Sequence, residues 1–138
     1  MAIKLRPDIV ERYLKLRVEQ TLRVIEVLRD VGTPYLHGGG DFAGNNGPFF
    51  APEDFTRFML PGLSAISKAC DKYGLYHMFA SDGDLWPVAD SLFGKSGVRG
   101  YYEIDLDCGM DLRRLRREYF HQCWDYPSDP PDGSSPLY

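Results

Sequence analysis

Six carboxylates fall within three short polar stretches of this 138-residue chain. Asp41 follows Gly38-Gly39-Gly40, Asp82 and Asp84 flank Gly83, and Glu103, Asp105 and Asp107 alternate through the third stretch. Two carboxylates held close together push up the pKa of one of them, which makes it a proton donor. Acids gathered at strand ends would therefore suit proton transfer to a small substrate. Asp41 and Asp82 end apolar runs beside glycine, and these two are the candidates for function. Asp84 and Asp111 stand where a helix start needs a side-chain acceptor, so they are read as caps.

Other tempting patterns lose a required part. His37-Gly38-Gly39-Gly40 has the form of an oxyanion-hole loop, but residues 62–66, Gly-Leu-Ser-Ala-Ile, lack the second glycine of a nucleophile elbow. Residues 89–96 fit a relaxed phosphate-loop pattern in reverse polarity, running from a helix into a strand. Asp82-Gly83-Asp84 lacks the third ligand position and the distal glutamate of a calcium loop. His77 sits inside an apolar run with no Cys or His at ligand spacing, so it reads as a core histidine. The expectation is no metal and no cofactor.

An alternating framework would position the acids. Val10, Leu14, Val18, Leu22, Ile25 and Leu28 recur at steps of three and four, which predicts a helix over residues 8–31, opened by Pro7 and closed by Gly32. Residues 33–37 form a short strand, followed by an Asn- and Gly-rich loop. A second helix begins at Pro52-Glu53-Asp54, with proline and acids in its first turn. Its apolar stripe is Phe55, Phe58, Met59, Leu63, Ile66 and Cys70, with a kink expected at Pro61. Residues 75–80 predict a strand buried on both faces, 85–93 a third helix, 98–104 a third strand and 111–119 a fourth helix. Such alternation implies an α/β fold of about three parallel strands and four helices, with ligands at the C-terminal strand ends. The domain is expected over 1–122, and residues 123–138, rich in Pro and Ser, form an irregular tail.

Composition fits one packed domain, with 43% hydrophobic and 26% charged residues. A net charge of −4 argues against nucleic acid as partner, because phosphate neutralisation needs basic stripes. No apolar run approaches the roughly 18 residues of a membrane span, so no membrane partner is expected. Cys70, Cys108 and Cys123 are odd in number and widely spaced, which points to reduced thiols and a cytoplasmic protein.

One longer pattern has a family likeness. Gly40-Asp41-Phe42-Ala43-Gly44-Asn45-Asn46-Gly47-Pro48, followed by Pro52, Phe55, Phe58 and Leu60-Pro61, resembles the central segment of the uroporphyrinogen decarboxylase superfamily. Phe79-Ala80-Ser81-Asp82-Gly83 resembles the next strand end of these proteins, and Gly97-Val98 and Gly109-Met110-Asp111-Leu112 also fit. The likeness runs from about residue 8 to 119. It implies a TIM barrel with its active site at the C-terminal rim. It also implies cofactor-independent decarboxylation of a porphyrinogen-type or other carboxylated small molecule, as in porphyrin biosynthesis. On that resemblance Asp82 is the catalytic candidate, and Asp41, Gly40, Phe79 and Gly83 contact substrate. The alternatives are a relative of the corrinoid-linked methyltransferases, whose zinc-binding His-x-Cys falls here on Ala80 and Asp82, and a non-catalytic barrel fragment.

A TIM barrel takes about 250 residues, so the chain is expected to form a partial (β/α)8 barrel. The family's N-terminal arginine-rich loop and early aspartate have no counterpart before Asp8, nor its late histidine after Tyr119. The isolated chain is accordingly expected to be a truncated, incomplete enzyme. Its open strand edges and uncovered interior would drive self-association.

Overall fold

A computed structural model describes residues 2–119. The tail expected at 123–138, and with it the domain limit at 122, lies outside the described residues.

Two helices open the chain, α1 (Ala2–Leu5) and α2 (Pro7–Val31). Gly32 ends α2 in the left-handed conformation, φ 79°, donating its N–H to the Arg29 carbonyl, as a glycine after a helix commonly does. Only Ile25 of α2 is fully buried, in a cluster with Leu36, Cys70 and Leu75 against which Leu22 and Leu28 pack.

The first strand, β1 (Tyr35–Gly39), begins two residues later than its apolar run suggests. Glycine is a poor strand former, yet Gly39 belongs here because β1 and its neighbour approach too closely for a side chain. A Cβ on Gly39 would overlap the Ala80 carbonyl oxygen and lie 2.7 Å from the Ala80 nitrogen. A small hairpin of β2 (Ala43–Gly44) and β3 (Gly47–Pro48) then orders the loop that the sequence leaves irregular.

The expected disturbance at Pro61 takes the form of a widened turn. After α3 (Pro52–Asp54), residues Phe55–Met59 form a π turn, in which the Leu60 N–H reaches back five residues to the Phe55 carbonyl. Pro61 has no N–H to give, and a wider turn relieves the crowding its ring causes one turn earlier. The helix continues as α4 (Leu60–Lys72).

Next come β4 (Tyr76–Ala80) and a segment that is not the regular helix expected over 85–93. A 3₁₀ turn (Trp86–Val88) and a π turn (Asp90–Lys95) replace it. Asp84 still caps the segment, its Oδ1 accepting the Trp86 N–H at 2.9 Å. Leu85, Val88, Ala89, Leu92 and Phe93 keep the i, i+3, i+4, i+7, i+8 spacing of one helical stripe, and all five are buried. The last strand, β5 (Gly100–Tyr102), is shorter than 98–104, since Glu103 turns to φ 66° and leaves the extended region. Finally α5 (Leu112–Glu118) is capped by Asp111, which accepts the Arg113 N–H at 2.8 Å.

The three main strands are parallel and lie in the order β1-β4-β5, with Tyr35 opposite Tyr76 and Met78 opposite Gly100. Alternate residues face opposite sides, so Leu36, His77, Phe79 and Tyr101 share one face. All the packed layers are on that face. The larger core holds Phe55, Leu63, Phe79, Leu92, Tyr101 and Met110. Tyr35, His37, Tyr76, Met78 and Tyr102 belong to the opposite face and join neither core cluster. On that side the His37 ring lies 4.7 Å from Tyr35 and 4.9 Å from Tyr102, centroid to centroid. Consequently β4 is not buried on both faces: His77 and Phe79 are sealed, while Tyr76 and Met78 are half-buried. The fold is mixed α/β with an open three-stranded sheet, and among the described residues no barrel is closed.

Candidate functional site

The three strand ends are tied together by polar groups. The Gly40 N–H bonds the Ala80 carbonyl at 3.0 Å, which fixes where β1 leaves the sheet. Ser81, fully buried, accepts the Phe42 N–H at 3.1 Å and donates to the Asp82 carbonyl at 2.9 Å. Tyr101 donates its hydroxyl to the Ser81 carbonyl at 2.6 Å. Beyond this knot, Gly83 at φ 85° passes under the hairpin, where a Cβ would lie 2.7 Å from the Ala43 carbonyl carbon. Asp84 donates its N–H to the Gly44 carbonyl at 3.1 Å.

Asp105 is a brace. Its two oxygens accept the N–H groups of Gly83 and Cys108, at 3.2 and 3.1 Å. A side-chain bond from the Cys108 thiol, ahead of its N–H, holds the carboxyl below its usual range, and that side-chain bond pushes the thiol up to about 11. Burial, and then the charges of Asp82, Asp105 and Glu103, raise the Tyr101 phenol above its ordinary value. The acids therefore act on one buried hydroxyl, and that hydroxyl stays protonated.

Of the five residues singled out from sequence, Gly40, Asp41 and Asp82 lie exposed at this rim. Asp41 and Asp82 make no side-chain hydrogen bond or ion pair among the described residues, so both carboxylates are free to meet a ligand. Gly83 is buried beneath the hairpin. Phe79 is wholly buried on the helix-bearing face, its ring 5.3 Å from that of Phe42.

Tyr101→Phe tests the knot. Loss of the hydroxyl leaves the buried Ser81 carbonyl without its donor, at an expected cost of about 1–3 kcal/mol. Urea unfolding should show a lower midpoint with an unchanged slope.

A second feature lies between elements remote in sequence, where no local pattern signals it. A cavity of about 660 Å³ opens between α2, the β1 edge and α4. His77 lines it, only 1% exposed, with Nδ1 2.7 Å from Ser67 Oγ. Burial pushes the imidazole down to about 4, against a weaker opposing pull from Asp71, so the ring is neutral near pH 7. His77 is the core histidine its surroundings suggest, yet it also reaches this cavity.

Among the described residues no three His, Cys, Asp or Glu side chains gather as a metal-holding group. No described helix is long and apolar enough to cross a membrane. Compared with protein-family models, with curated proteins and with solved structures, the chain matches none.

Proposed function

We propose that the chain is part of a (β/α)8-type unit resembling the uroporphyrinogen decarboxylases. In this reading it acts without a cofactor on a small carboxylated molecule at the strand-end rim, and a second copy completes it. The observation that supports the reading is the one-sided layering. Doubly wound sheets carry helices on both faces, whereas barrels carry them only outside and close the inner face on itself. Here consecutive strands are neighbours, all packing lies on one face, and Tyr35, His37, Tyr76, Met78 and Tyr102 occupy the other. Self-association through that second face would cover it. The free thiols of Cys70 and Cys108 suit the cytoplasm.

Loss of carbon dioxide from a carboxylate leaves a carbanion that must take up a proton. Asp82 is the exposed rim acid assigned that donation, with Asp41 as its neighbour in substrate contact and Gly40 leaving room beside it. Light scattering should find an assembly larger than a monomer. Carbon dioxide release from a polycarboxylated porphyrinogen should be lost in Asp82→Asn while that assembly persists. A monodisperse monomer with a sharp melt, or turnover indifferent to Asp82→Asn, overturns the proposal.

A second, non-catalytic reading is favoured by charge. Residues 38–46, 81–84 and 103–107 hold six acids and no Lys or Arg, a field that repels a polycarboxylate. Absence both of turnover and of stabilisation by the porphyrinogen supports that reading instead.

A further inference from the structure

The cavity beside His77 is the strongest unassigned feature of the molecule. Its size falls within the range of small-molecule sites, and its walls are mostly apolar. Three observations say what would enter it. First, the His77 Nε2 atom has no partner among the described residues, although no described side-chain N or O sealed from solvent lacks one. Nε2 therefore reaches the cavity. It does so past Gly38, where a Cβ would come within 3.3 Å of it.

Second, the proton on that ring can be placed. Ser67 is buried and its Oγ has no other partner among the described residues, so donation to Nδ1 is the assignment that leaves its hydroxyl proton with an acceptor. A neutral imidazole that accepts at Nδ1 carries its proton at Nε2. His77 thus presents an N–H donor to the cavity and calls for an acceptor there. Third, the charges are one-sided. No Asp or Glu lines the cavity, whereas Arg17 does, and Arg17 forms no ion pair among the described residues. In a chain of net charge −4 this favours an anionic guest.

We infer that this cavity binds an apolar carboxylic acid, its hydrocarbon against Leu14, Val18, Ile66 and Phe79 and a carboxylate oxygen on the Nε2–H of His77. The site lies on the helix-bearing side of the sheet and extends to the end of β1 at Gly39 and to Phe42, while Asp41 and Asp82 do not line it. Gly62 also lines it, where α4 comes so near α2 that a Cβ would lie 2.9 Å from Val18.

Calorimetric titration of the full chain with decanoate, below its micellar concentration, tests the assignment, with decyltrimethylammonium as the cationic control. Decanoate should bind one to one and shift the ¹⁵N resonance of His77 Nε2, and the cation should not bind. His77→Phe removes the donor and should weaken binding about tenfold, the expected worth of a hydrogen bond to a charged acceptor. Gly38→Ala covers the donor without removing it and should weaken binding to a similar extent. No binding, equal binding of the cation, or affinity indifferent to both substitutions overturns the inference. Should a variant fold poorly, the parent decides: an Nε2 resonance unmoved by saturating decanoate is equally fatal.

Discussion

Gly39→Ala is expected to cost about 3–5 kcal/mol, a large share of the roughly 5–15 kcal/mol that holds a small domain together. Two effects combine at this residue. Its φ of 128° lies where side-chain-bearing residues are strained. Its Cβ would also overlap the Ala80 carbonyl oxygen and crowd the Ala80 carbon at 2.9 Å. Both obstacles are backbone, so no side chain can swing aside. Relief would require β1 to move off β4, which breaks the Gly39–Ala80 pairing and the Gly40 N–H bond to Ala80. The urea midpoint should fall by about 2 M for a slope typical of a small protein. Gly38→Ala is the internal control, because Gly38 has no positive φ and a Cβ there meets only ordinary or slightly tight contacts. A native-like midpoint for Gly39→Ala would mean that β1 does not run in this register.

A second large effect should appear in mild acid. The ordinary histidine value is 6.5, and burial holds the folded His77 at about 4. The unfolded chain therefore takes up the proton first, and stability is lost as pH falls. This contribution is complete above about pH 6.5, declines between 6.5 and 4, and levels off below. The whole step is worth about 3 kcal/mol, at a slope that approaches 1.4 kcal/mol per pH unit. The carboxyls of Asp8 and Asp105, held below their ordinary 3.8, add losses only at still lower pH. Urea midpoints measured from pH 7.5 to 4 should thus fall for the parent chain and stay flatter for His77→Phe. Equal slopes in the two proteins would refute the assignment of this titration to His77.

Much of the framework is legible because its signals are local. The stripe from Val10 to Leu28, the apolar run of β4, and the caps Asp84 and Asp111 each depend on residues within a few positions. So does the alternation of helix and strand that implies parallel pairing. The departures arise where distant contacts decide. Gly38 and Gly39 look like loop residues until Ala80 and His77 lie beside them, and this is why β1 runs later than its apolar run. The π turns depend on how far a carbonyl must reach under packing, which periodicity does not encode. At the rim, the exposure of Asp41 and Asp82 accords with their place after strands. Nothing in the spacing separates them from Asp105, whose carboxylate is committed to Gly83 and Cys108. Phe79 reads equally well as rim or core from sequence, because only the pairing register says which face it takes. The cavity draws on α2, β1, α4 and β4 together, and no window of sequence contains it.

The π turn at Phe55–Met59 makes length, rather than identity, the sensitive property of its helix. Such a turn holds one residue more than an α-helical turn, and each residue rotates a helix by about 100°. Deleting Thr56 would restore ordinary spacing and swing the preceding turn by that angle. Phe55 would be carried away from Phe42 and Phe50, whose rings lie 6.1 and 5.8 Å from its own. Exposed Thr56 itself can be exchanged for many residues without moving that aromatic group. Over generations, descendants of this chain should therefore vary in spelling at this position while single-codon gains and losses are purged.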